Sequence, residues 1–143
     1  MPDEKESPGP GDEAPTRVGI GLIRREDRYL IRRRPEGSAM AGYWEFPGGK
    51  CEPGEPPTDA TARECLEEVG VAVAVGRLVR RIIHRYPHAL VELFYYDCSS
   101  IDPGAEPSAG SGFVWAEAGA LPGLRFPDAN EPLIAELARA ADR

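Results

Sequence analysis

Apolar residues along the chain fall into short runs and alternations that are typical of β-strands. The run VGIGLIR at residues 18–24 predicts a buried strand, and residues 29–33 return after an acidic turn as its hairpin partner. Residues 71–86 are long and rich in Val and Ile, and residues 90–98 alternate well enough to be their antiparallel partner. These four segments predict most of one sheet.

The rest of the pattern adds a short strand and a helix near the end of the chain. Residues 43–47 lead into a glycine-containing loop, and residues 113–116 predict a short strand after a Pro/Gly/Ser-rich loop at 101–112. Residues 128–141 predict a helix that starts with an Asp and a Glu at capping-box spacing. Its capping pair is Asp128 and Glu131, and its apolar stripe is Leu133, Ile134, Leu137 and Ala141.

An earlier helix is predicted from Pro57 to just before Gly70. Pro57 suits a first helical position because its φ is fixed and its missing N–H would be unpaired there. Pro56 offers no side-chain oxygen as an N-cap, whereas Gly70 can supply the left-handed residue that ends a helix. The predicted apolar stripe is Ala62, Cys65, Leu66 and Val69, and the glutamates predicted to point the opposite way are Glu64, Glu67 and Glu68. Two helices against a mixed sheet predict an α/β sandwich.

The three glutamates of this helix stand at i, i+3 and i+4, so their charges are crowded together. A solvated surface is one interpretation of such a face. However, like charges at i, i+4 repel by about 0.2–0.5 kcal/mol, and only Arg63 is close enough in sequence to relieve them. Mg²⁺ is commonly held by carboxylates together with substrate phosphates. The Gly48-Gly49 pair permits a tight turn whose carbonyl can approach the same ion, so the pattern favours a metal site.

Composition and charge indicate one acidic domain after an acidic leader. The 143 residues carry a net charge of −7, and residues 1–16 contribute −4 of it, with five acidic residues against Lys5 alone. The remaining body is too acidic to suggest a nucleic-acid polymer as partner. Residues 1–16 are rich in Pro and Gly and are predicted to be disordered, followed by one folded domain at 17–143. The sequence contains no secretory signal and no apolar segment long enough to cross a bilayer, so no membrane partner is expected.

Three cysteines without a CxxC spacing favour a reducing compartment, so a cytoplasmic location is expected. An odd number of cysteines argues against a disulfide framework, and the spacing argues against a thiolate zinc site. Cys65 is most simply a small buried apolar residue.

The stretch GKCEPGEPPTDATARECLEEVGV at residues 49–71 resembles the signature of the Nudix hydrolase family. That signature is G-x5-E-x7-R-E-U-x-E-E-x-G-U, where U is aliphatic, and every invariant letter is present at its place. The single departure is Cys65, where Leu, Ile or Val is usual. The resemblance implies the Nudix α/β/α sandwich with a mixed β-sheet and an enzyme that hydrolyses phosphoanhydride bonds.

The same resemblance implies roles for the residues of this segment. The implied ligands of Mg²⁺, or alternatively Mn²⁺, are the Gly48 carbonyl, Glu64, Glu67 and Glu68. Glu64 is the first candidate for the base that takes a proton from the attacking water, and Glu67 is the second. Arg63 and Glu55 complete the catalytic set as residues that tie the loop to the helix.

Two further runs, WEFPGGK at residues 44–50 and FPDANEPLI at residues 126–134, resemble the MutT-like branch, which sanitises oxidised purine nucleoside triphosphates. In that branch an asparagine after the Phe-Pro motif reads the base, a role that falls on Asn130. An amide suits the role because it offers a donor and an acceptor. The alternative for Asn130 is a polar residue in a first helical turn. The implied substrate-binding residues are Asn130, Arg34, Arg33 and Phe46.

Arg34 is implied to contact phosphate, for which the forked donors of guanidinium are suited. Surface ion pairing is the alternative for at least one or two of the three consecutive arginines that end the second strand. Two positions depart from the branch. Ala89 stands where the MutT enzyme has an arginine near the base, and Glu106 is the one acidic residue in the loop where relatives often place a further metal ligand or base.

The resemblance therefore implies magnesium-dependent hydrolysis of a nucleoside triphosphate, such as 8-oxo-dGTP, to monophosphate and pyrophosphate. Two alternatives stay open. The enzyme could act on another nucleoside diphosphate derivative, CTP-like or ADP-ribose. The domain could also be a non-catalytic nucleotide-binding module, although modules of that kind usually have eroded carboxylates. A monomer or weak homodimer is expected.

Overall fold

A computed structural model of the protein describes residues 14–142. The predicted disordered leader lies almost wholly outside the described residues, and the first strand already begins at Thr16. Within residues 14–142 the chain forms seven strands and two α-helices. The strands are β1 (Thr16–Arg25), β2 (Arg28–Arg33), β3 (Trp44–Glu45), β4 (Gly48–Lys50), β5 (Val73–Tyr86), β6 (Ala89–Ser100) and β7 (Val114–Glu117). The helices are α1 (Pro57–Val69) and α2 (Glu131–Ala141).

The seven strands form one sheet, which is mixed as predicted, but β3 and β4 were not predicted and occupy residues that the sequence assigned to a loop and the segment leading into it. Its main order is β3-β2-β1-β6-β5; β4 pairs with β1, and β7 pairs with β2. The β1–β2 and β5–β6 pairs are the antiparallel partners that the sequence predicts. The central β1–β6 pair is parallel over eight residue pairs, from Thr16–Val91 to Ile23–Cys98. One edge of β1 therefore bonds first to β4 and then to β2, while its other edge bonds to β6.

Each face of the sheet is covered by one α-helix, which confirms the α/β/α sandwich. Successive side chains of a strand point to opposite faces. Accordingly, Leu22 belongs to a core cluster with α2, whereas Ile23 belongs to a second cluster with α1. Tyr95 and Tyr96 divide between the same two clusters in the same way. Of the helices in residues 14–142, none has the length and apolar character needed to cross a membrane.

Helix α1 begins and ends as the sequence predicts. Pro57 is its first residue, Pro56 makes no side-chain capping bond, and Gly70 ends it in the left-handed conformation with φ of 81°. The predicted faces of α1 are partly wrong. Leu66 is 54% exposed instead of buried, and its place in the stripe is taken by Thr61, which has no exposure. The buried residues of α1 are Pro57, Ala60, Thr61, Cys65 and Val69.

The start of the last helix also differs from the prediction. Residues Asp128–Asn130 form a 3-10 turn, and α2 follows from Glu131. No side-chain capping bond forms at either start, so the predicted capping box is absent from this turn. The predicted apolar stripe is confirmed, because Leu133, Ile134 and Leu137 are buried in the core and the partly buried Ala141 packs against it. A further 3-10 helix, Ala118–Gly123, was not predicted, and it packs against α2.

Candidate active site

The carboxyl half of α1 lies against the glycine pair of β4. The Gly48 N–H donates a hydrogen bond of 3.1 Å to Glu68 Oε1. The hydrogen bonds between β1 and this segment fall on odd-numbered residues of the segment: Gly21 N–H donates to Pro47 O, and Cys51 N–H donates to Arg17 O. In an antiparallel ladder the alternate residues turn their polar groups away from the partner. The Gly48 carbonyl therefore points away from β1, on the same side as the N–H that meets Glu68.

At Gly49 the backbone of β4 lies against the carboxylate of Glu64. A Cβ atom at Gly49 would stand 2.3 Å from Glu64 Cδ and within 2.7 Å of both its oxygens, so the Glu64 carboxylate could not keep its present place beside a larger residue. Only glycine allows this approach. Glu64 and Glu68, one helical turn apart, therefore meet the same short stretch of backbone, contrary to the prediction that they point away from the buried side of α1.

Glu67 is placed differently from the other two glutamates. Its side chain is 59% exposed, whereas those of Glu64 and Glu68 are 18% and 28% exposed. Within residues 14–142 no three His, Cys, Asp or Glu side chains already converge as a metal centre. The donor set nevertheless suits a hard divalent cation, because two partly buried carboxylates and a carbonyl freed from the sheet offer oxygen ligands. The assignment of Glu67 to that set stays a prediction.

Two arginines lie beside the three glutamates and offset part of their charge. Arg63 Nη1 lies 2.9 Å from Glu64 Oε2 and 3.5 Å from Glu67 Oε1. Arg32 Nη2 lies 3.7 Å from Glu68 Oε2. Burial raises the pKa of Glu68, and the Gly48 N–H and Arg32 offset part of that rise.

Arg63 and Glu55 tie the loop to the helix, as predicted. Arg63 donates from Nε and Nη2 to the two oxygens of Glu55, at 2.9 and 2.8 Å, and from Nη2 to Lys50 O at 3.1 Å. The Glu52 N–H donates to Glu55 as well. The hydrogen bonds from Arg63, with that from Glu52, lower the pKa of Glu55 to about 2. The residues between β4 and α1 are thus fixed around one bidentate ion pair.

A pocket of about 230 Å³ opens beside the same glycine pair. This volume is below the range usual for drug-sized ligands, so the pocket suits a group the size of a nucleobase. Gly48 belongs to its wall, which makes the pocket continuous with the carboxylate ridge formed by Glu64 and Glu68. Its side-chain walls include Ile20, Arg34, Met40, Trp44, Phe46, Tyr86, Leu93, Tyr95 and Asn130.

Three of the four predicted substrate-binding residues meet in this pocket. Asn130, Arg34 and Phe46 all line it, although they come from three separate parts of the chain. Phe46 is 7% exposed and stacks on Phe126 with ring centroids 5.3 Å apart. Arg33 is not brought there: it is exposed and lines a separate groove with Gly110 and Gly112. Arg34 follows the end of β2 and continues its pairing with a bond from its N–H to Tyr43 O, so the side chains of Arg33 and Arg34 leave the chain on opposite sides.

Arg32 is a residue of the site that the sequence reasoning did not select. Its Nε and Nη2 donate to Glu45 Oε2 at 3.0 and 2.8 Å, and Arg34 Nη1 donates to Glu45 Oε1 at 2.7 Å. Glu45 thus holds both arginines, and Arg32 also approaches Glu68. The two-residue spacing of Arg32 and Arg34 was a usable signal, since residues i and i+2 share one side of a strand.

Asn130 is buried in the pocket wall. It is 7% exposed, and its Nδ2 donates a hydrogen bond to the hydroxyl of Tyr95. Tyr95 is itself 3% exposed, on the central strand β6. Near the pocket, His88 is an exposed loop residue that stacks on Tyr86. Glu106 pairs instead with Arg25 at 2.8 Å and accepts from Trp115 Nε1 at 3.0 Å.

The sequence matches the family model of the NUDIX domain over residues 19–136. It is 34% identical over 123 residues to the 8-oxo-dGTP diphosphatase of Escherichia coli strain K12, which covers 85% of this chain and 95% of that protein. It is 42% identical over 75 residues to the CTP pyrophosphohydrolase of the same strain, covering 47% of this chain and 56% of that protein. The solution structure of the E. coli ORF135 protein superimposes with a TM-score of 0.72 at 30% identity, covering 90% of this chain and 92% of that one.

The family match spans most of the chain, and its signature residues lie where β4 meets α1. The chain therefore belongs to the Nudix hydrolase family, as the resemblance implied. Hydrolases of this family act on nucleotide substrates with the help of divalent metal ions. The sandwich with a mixed sheet is the fold of its solved relatives.

Proposed function

We propose that the protein hydrolyses oxidised purine nucleoside triphosphates, of the 8-oxo-dGTP type, to the monophosphate and pyrophosphate. The observation that supports this most is the shared wall at Gly48. A base-sized pocket containing a buried asparagine lies on one side of it, and two partly buried carboxylates lie on the other. A nucleotide bound with its base in the pocket has its phosphates near those carboxylates.

Asn130 is the proposed reader of the base. Oxidised guanine carries a hydrogen at N7, whereas ordinary guanine has a lone pair there, so an amide oxygen accepts from the first and is repelled by the second. Phe46 and the neighbouring aromatic residues supply an apolar surface for the ring. Arg34 stands at the rim as the proposed phosphate contact, with its guanidinium oriented by Glu45.

The carboxylate ridge is the proposed site of Mg²⁺, for which Mn²⁺ is an alternative. When bound, the ion neutralises phosphate oxygens and lowers the pKa of a coordinated water. The Gly48 carbonyl, Glu64, Glu67 and Glu68 are its proposed ligands. Glu64 is the first candidate for the proton acceptor and Glu67 is the second. Arg63 and Glu55 keep the loop and the helix in register, because positioning contributes much of the rate in phosphoryl transfer.

A second candidate is hydrolysis of a pyrimidine triphosphate of the CTP type. It is favoured by the 42% identity to a CTP pyrophosphohydrolase, although that match covers 47% of the chain. Ala89, at the hairpin that follows Tyr86, supplies no side-chain hydrogen bond to a base. A non-catalytic binding module is less well supported, since every carboxylate of the signature is present.

The test is a panel of ordinary and oxidised nucleotides incubated with purified protein and Mg²⁺ or Mn²⁺, with products identified by mass. We expect 8-oxo-dGTP to have the highest kcat/KM and to give monophosphate plus pyrophosphate. A preference for CTP would replace the proposal with the second candidate. Binding of a nucleotide without turnover in either metal would identify a binding module instead.

A further inference from the structure

Both oxygens of the Glu68 carboxylate already lie beside a donor. Oε1 accepts a hydrogen bond from the Gly48 N–H at 3.1 Å, and Oε2 lies 3.7 Å from Nη2 of Arg32. Glu64 differs, because its side-chain bonds and ion pairs within residues 14–142 involve Oε2 alone. A cation that binds to Glu68 through Oε2 therefore shares that oxygen with the Arg32 guanidinium.

The Arg32 guanidinium is held in place by contacts other than that with Glu68. Its Nε and Nη2 donate to Glu45 Oε2 at 3.0 and 2.8 Å, and it lies over the Phe113 ring at 4.6 Å from the centroid. Its stem passes close to Gly112, where a Cβ would stand 3.3 Å from Arg32 Cδ. None of these contacts involves the carboxylate ridge. The positive charge of Arg32 therefore stays beside Glu68 when a cation binds there.

We infer that Arg32 weakens the binding of a divalent cation to the carboxylate ridge when no nucleotide is present, and so couples binding of the ion to binding of the polyphosphate. This inference rests on the proposed function, which assigns the ion to that ridge. A guanidinium and a divalent cation repel each other when both lie beside one carboxylate. The negative charge of a triphosphate offsets that repulsion. Arg32 therefore opposes the ion alone more than it opposes the ion together with its nucleotide.

The test is the Arg32→Gln variant, which removes the charge. Glu45 keeps its bond from Arg34 Nη1 at 2.7 Å, so one of its two arginines remains in place. The readout is the dissociation constant of Mn²⁺ without nucleotide, obtained from the electron paramagnetic resonance signal of the free ion. Unfolded chains reduce the number of sites in this titration and leave the constant of the folded sites unchanged. We expect the constant to fall by about threefold to tenfold.

Two further variants separate the charge of Arg32 from other effects. Arg28→Gln removes an arginine from the same strand, where its partner is the exposed Glu117 at 3.6 Å, and it should leave the constant within about twofold of wild type. Arg32→Lys keeps the charge and should stay closer to wild type than Arg32→Gln does. An unchanged or weaker affinity in Arg32→Gln overturns the inference, and so does an equal gain in Arg32→Lys.

A second titration tests the coupling. The ligand is an α,β-methylene analogue of 8-oxo-dGTP, which the proposed reaction cannot cleave, at saturating Mn²⁺. Its dissociation constant should be no lower in Arg32→Gln than in wild type, and a gain equal to that for Mn²⁺ alone overturns the coupling. A wild-type protein that hydrolyses 8-oxo-dGTP while Arg32→Gln leaves Mn²⁺ binding unchanged keeps the proposed function and loses this inference. A wild-type protein that binds Mn²⁺ neither alone nor with the analogue overturns both.

Discussion

At the scale of single residues, the candidate site depends on two consecutive glycines, Gly48 and Gly49. Gly49 allows the Glu64 carboxylate to lie where a Cβ would otherwise stand, and Gly48 donates its N–H to Glu68 instead of to β1. Neighbouring carboxylates that are partly withdrawn from water are costly to keep charged unless cations compensate them. Arg63 and Arg32 provide that compensation in the protein itself. We propose that the same oxygens bind the metal ion when substrate is present.

The exposed member of the three glutamates gives a direct test of the ligand set. Glu67→Gln is expected to lower kcat by about 10²-fold or more, since it removes either a charged metal ligand or the proton acceptor. The fold should be unaffected, because Glu67 is 59% exposed and pairs with Arg63 at the surface. Turnover and the urea unfolding midpoint are to be measured side by side.

Glu52→Gln is the matched control for that variant. Glu52 is also an exposed glutamate beside Arg63, at 4.0 Å, and it does not belong to the proposed ligand set. Its loss should leave turnover nearly unchanged. Equal activity of the Glu67→Gln and wild-type proteins would remove Glu67 from the site.

Glu55 gives a prediction about pH. Its pKa is lowered to about 2 by Arg63, so its contribution to stability is fully present above the ordinary pKa of glutamate and is lost as pH falls toward about 2. The Glu55→Gln variant lacks this contribution at every pH. The difference in unfolding free energy between wild type and variant should therefore be largest near neutral pH and shrink on acidification. Urea unfolding at about pH 7 and about pH 3 measures it. A difference that grows toward acid pH would contradict the assigned ion pair.

At the scale of elements, α1 is seated close on the sheet because β1 has small residues beneath it. A Cβ at Gly21 would stand 2.6 Å from Cys65 Sγ and 3.5 Å from Cys98 Sγ. Cys65 has no exposure, which confirms its interpretation as a small buried residue, and burial raises the pKa of its thiol. The single departure from the family signature is thus a small side chain at a position where helix and strand are in close contact.

The close contact between β1 and α1 predicts that a larger residue at Gly21 destabilises the fold. Gly21→Ala should lower the unfolding free energy by about 1–3 kcal/mol through overpacking between β1 and α1. Gly119→Ala is the control, because a Cβ at Gly119 meets no atom within 4 Å. Urea unfolding of both variants gives the comparison.

A double variant locates the strain in that pair. Combining Gly21→Ala with Cys65→Ala should cost less than the sum of the single changes, because the second change removes the sulfur that the new methyl meets. Strict additivity of the two costs would place the strain elsewhere.

At the scale of the whole molecule, elements from both faces of the sheet contribute residues to one candidate site. Helix α1 brings the carboxylates from one face, whereas the 3-10 turn before α2 brings Asn130 from the other. The glycine pair of β4 lies between them, at the edge where β1 changes partners from β4 to β2. The pocket that contains Asn130 and the carboxylate ridge are adjacent for this topological reason.

Local patterns in the sequence predicted the elements well and their exact faces less well. The hairpins, the ends of α1 and the apolar stripe of α2 follow from alternation, from Pro and Gly, and from helical spacing, all of which act over a few residues. Leu66 was assigned to the buried stripe because spacing alone does not say where the centre of a helix's buried face lies. The predicted capping pair at the start of α2 does not form, because Asp128 lies in a 3-10 turn. Residues three positions apart are placed differently there than in the first turn of an α-helix.

The sequence by itself determined the family, the sandwich of helices on a mixed sheet, and the set of carboxylates with their arginine. These depend on residues close together in the chain, where spacing fixes geometry. Only the tertiary structure decided that Arg34 and Asn130 share a pocket while Arg33 does not, that Arg32 links Glu45 to Glu68, and that Tyr95 holds Asn130. Those contacts join segments that are brought together by the order of strands in the sheet, and no local pattern records that order.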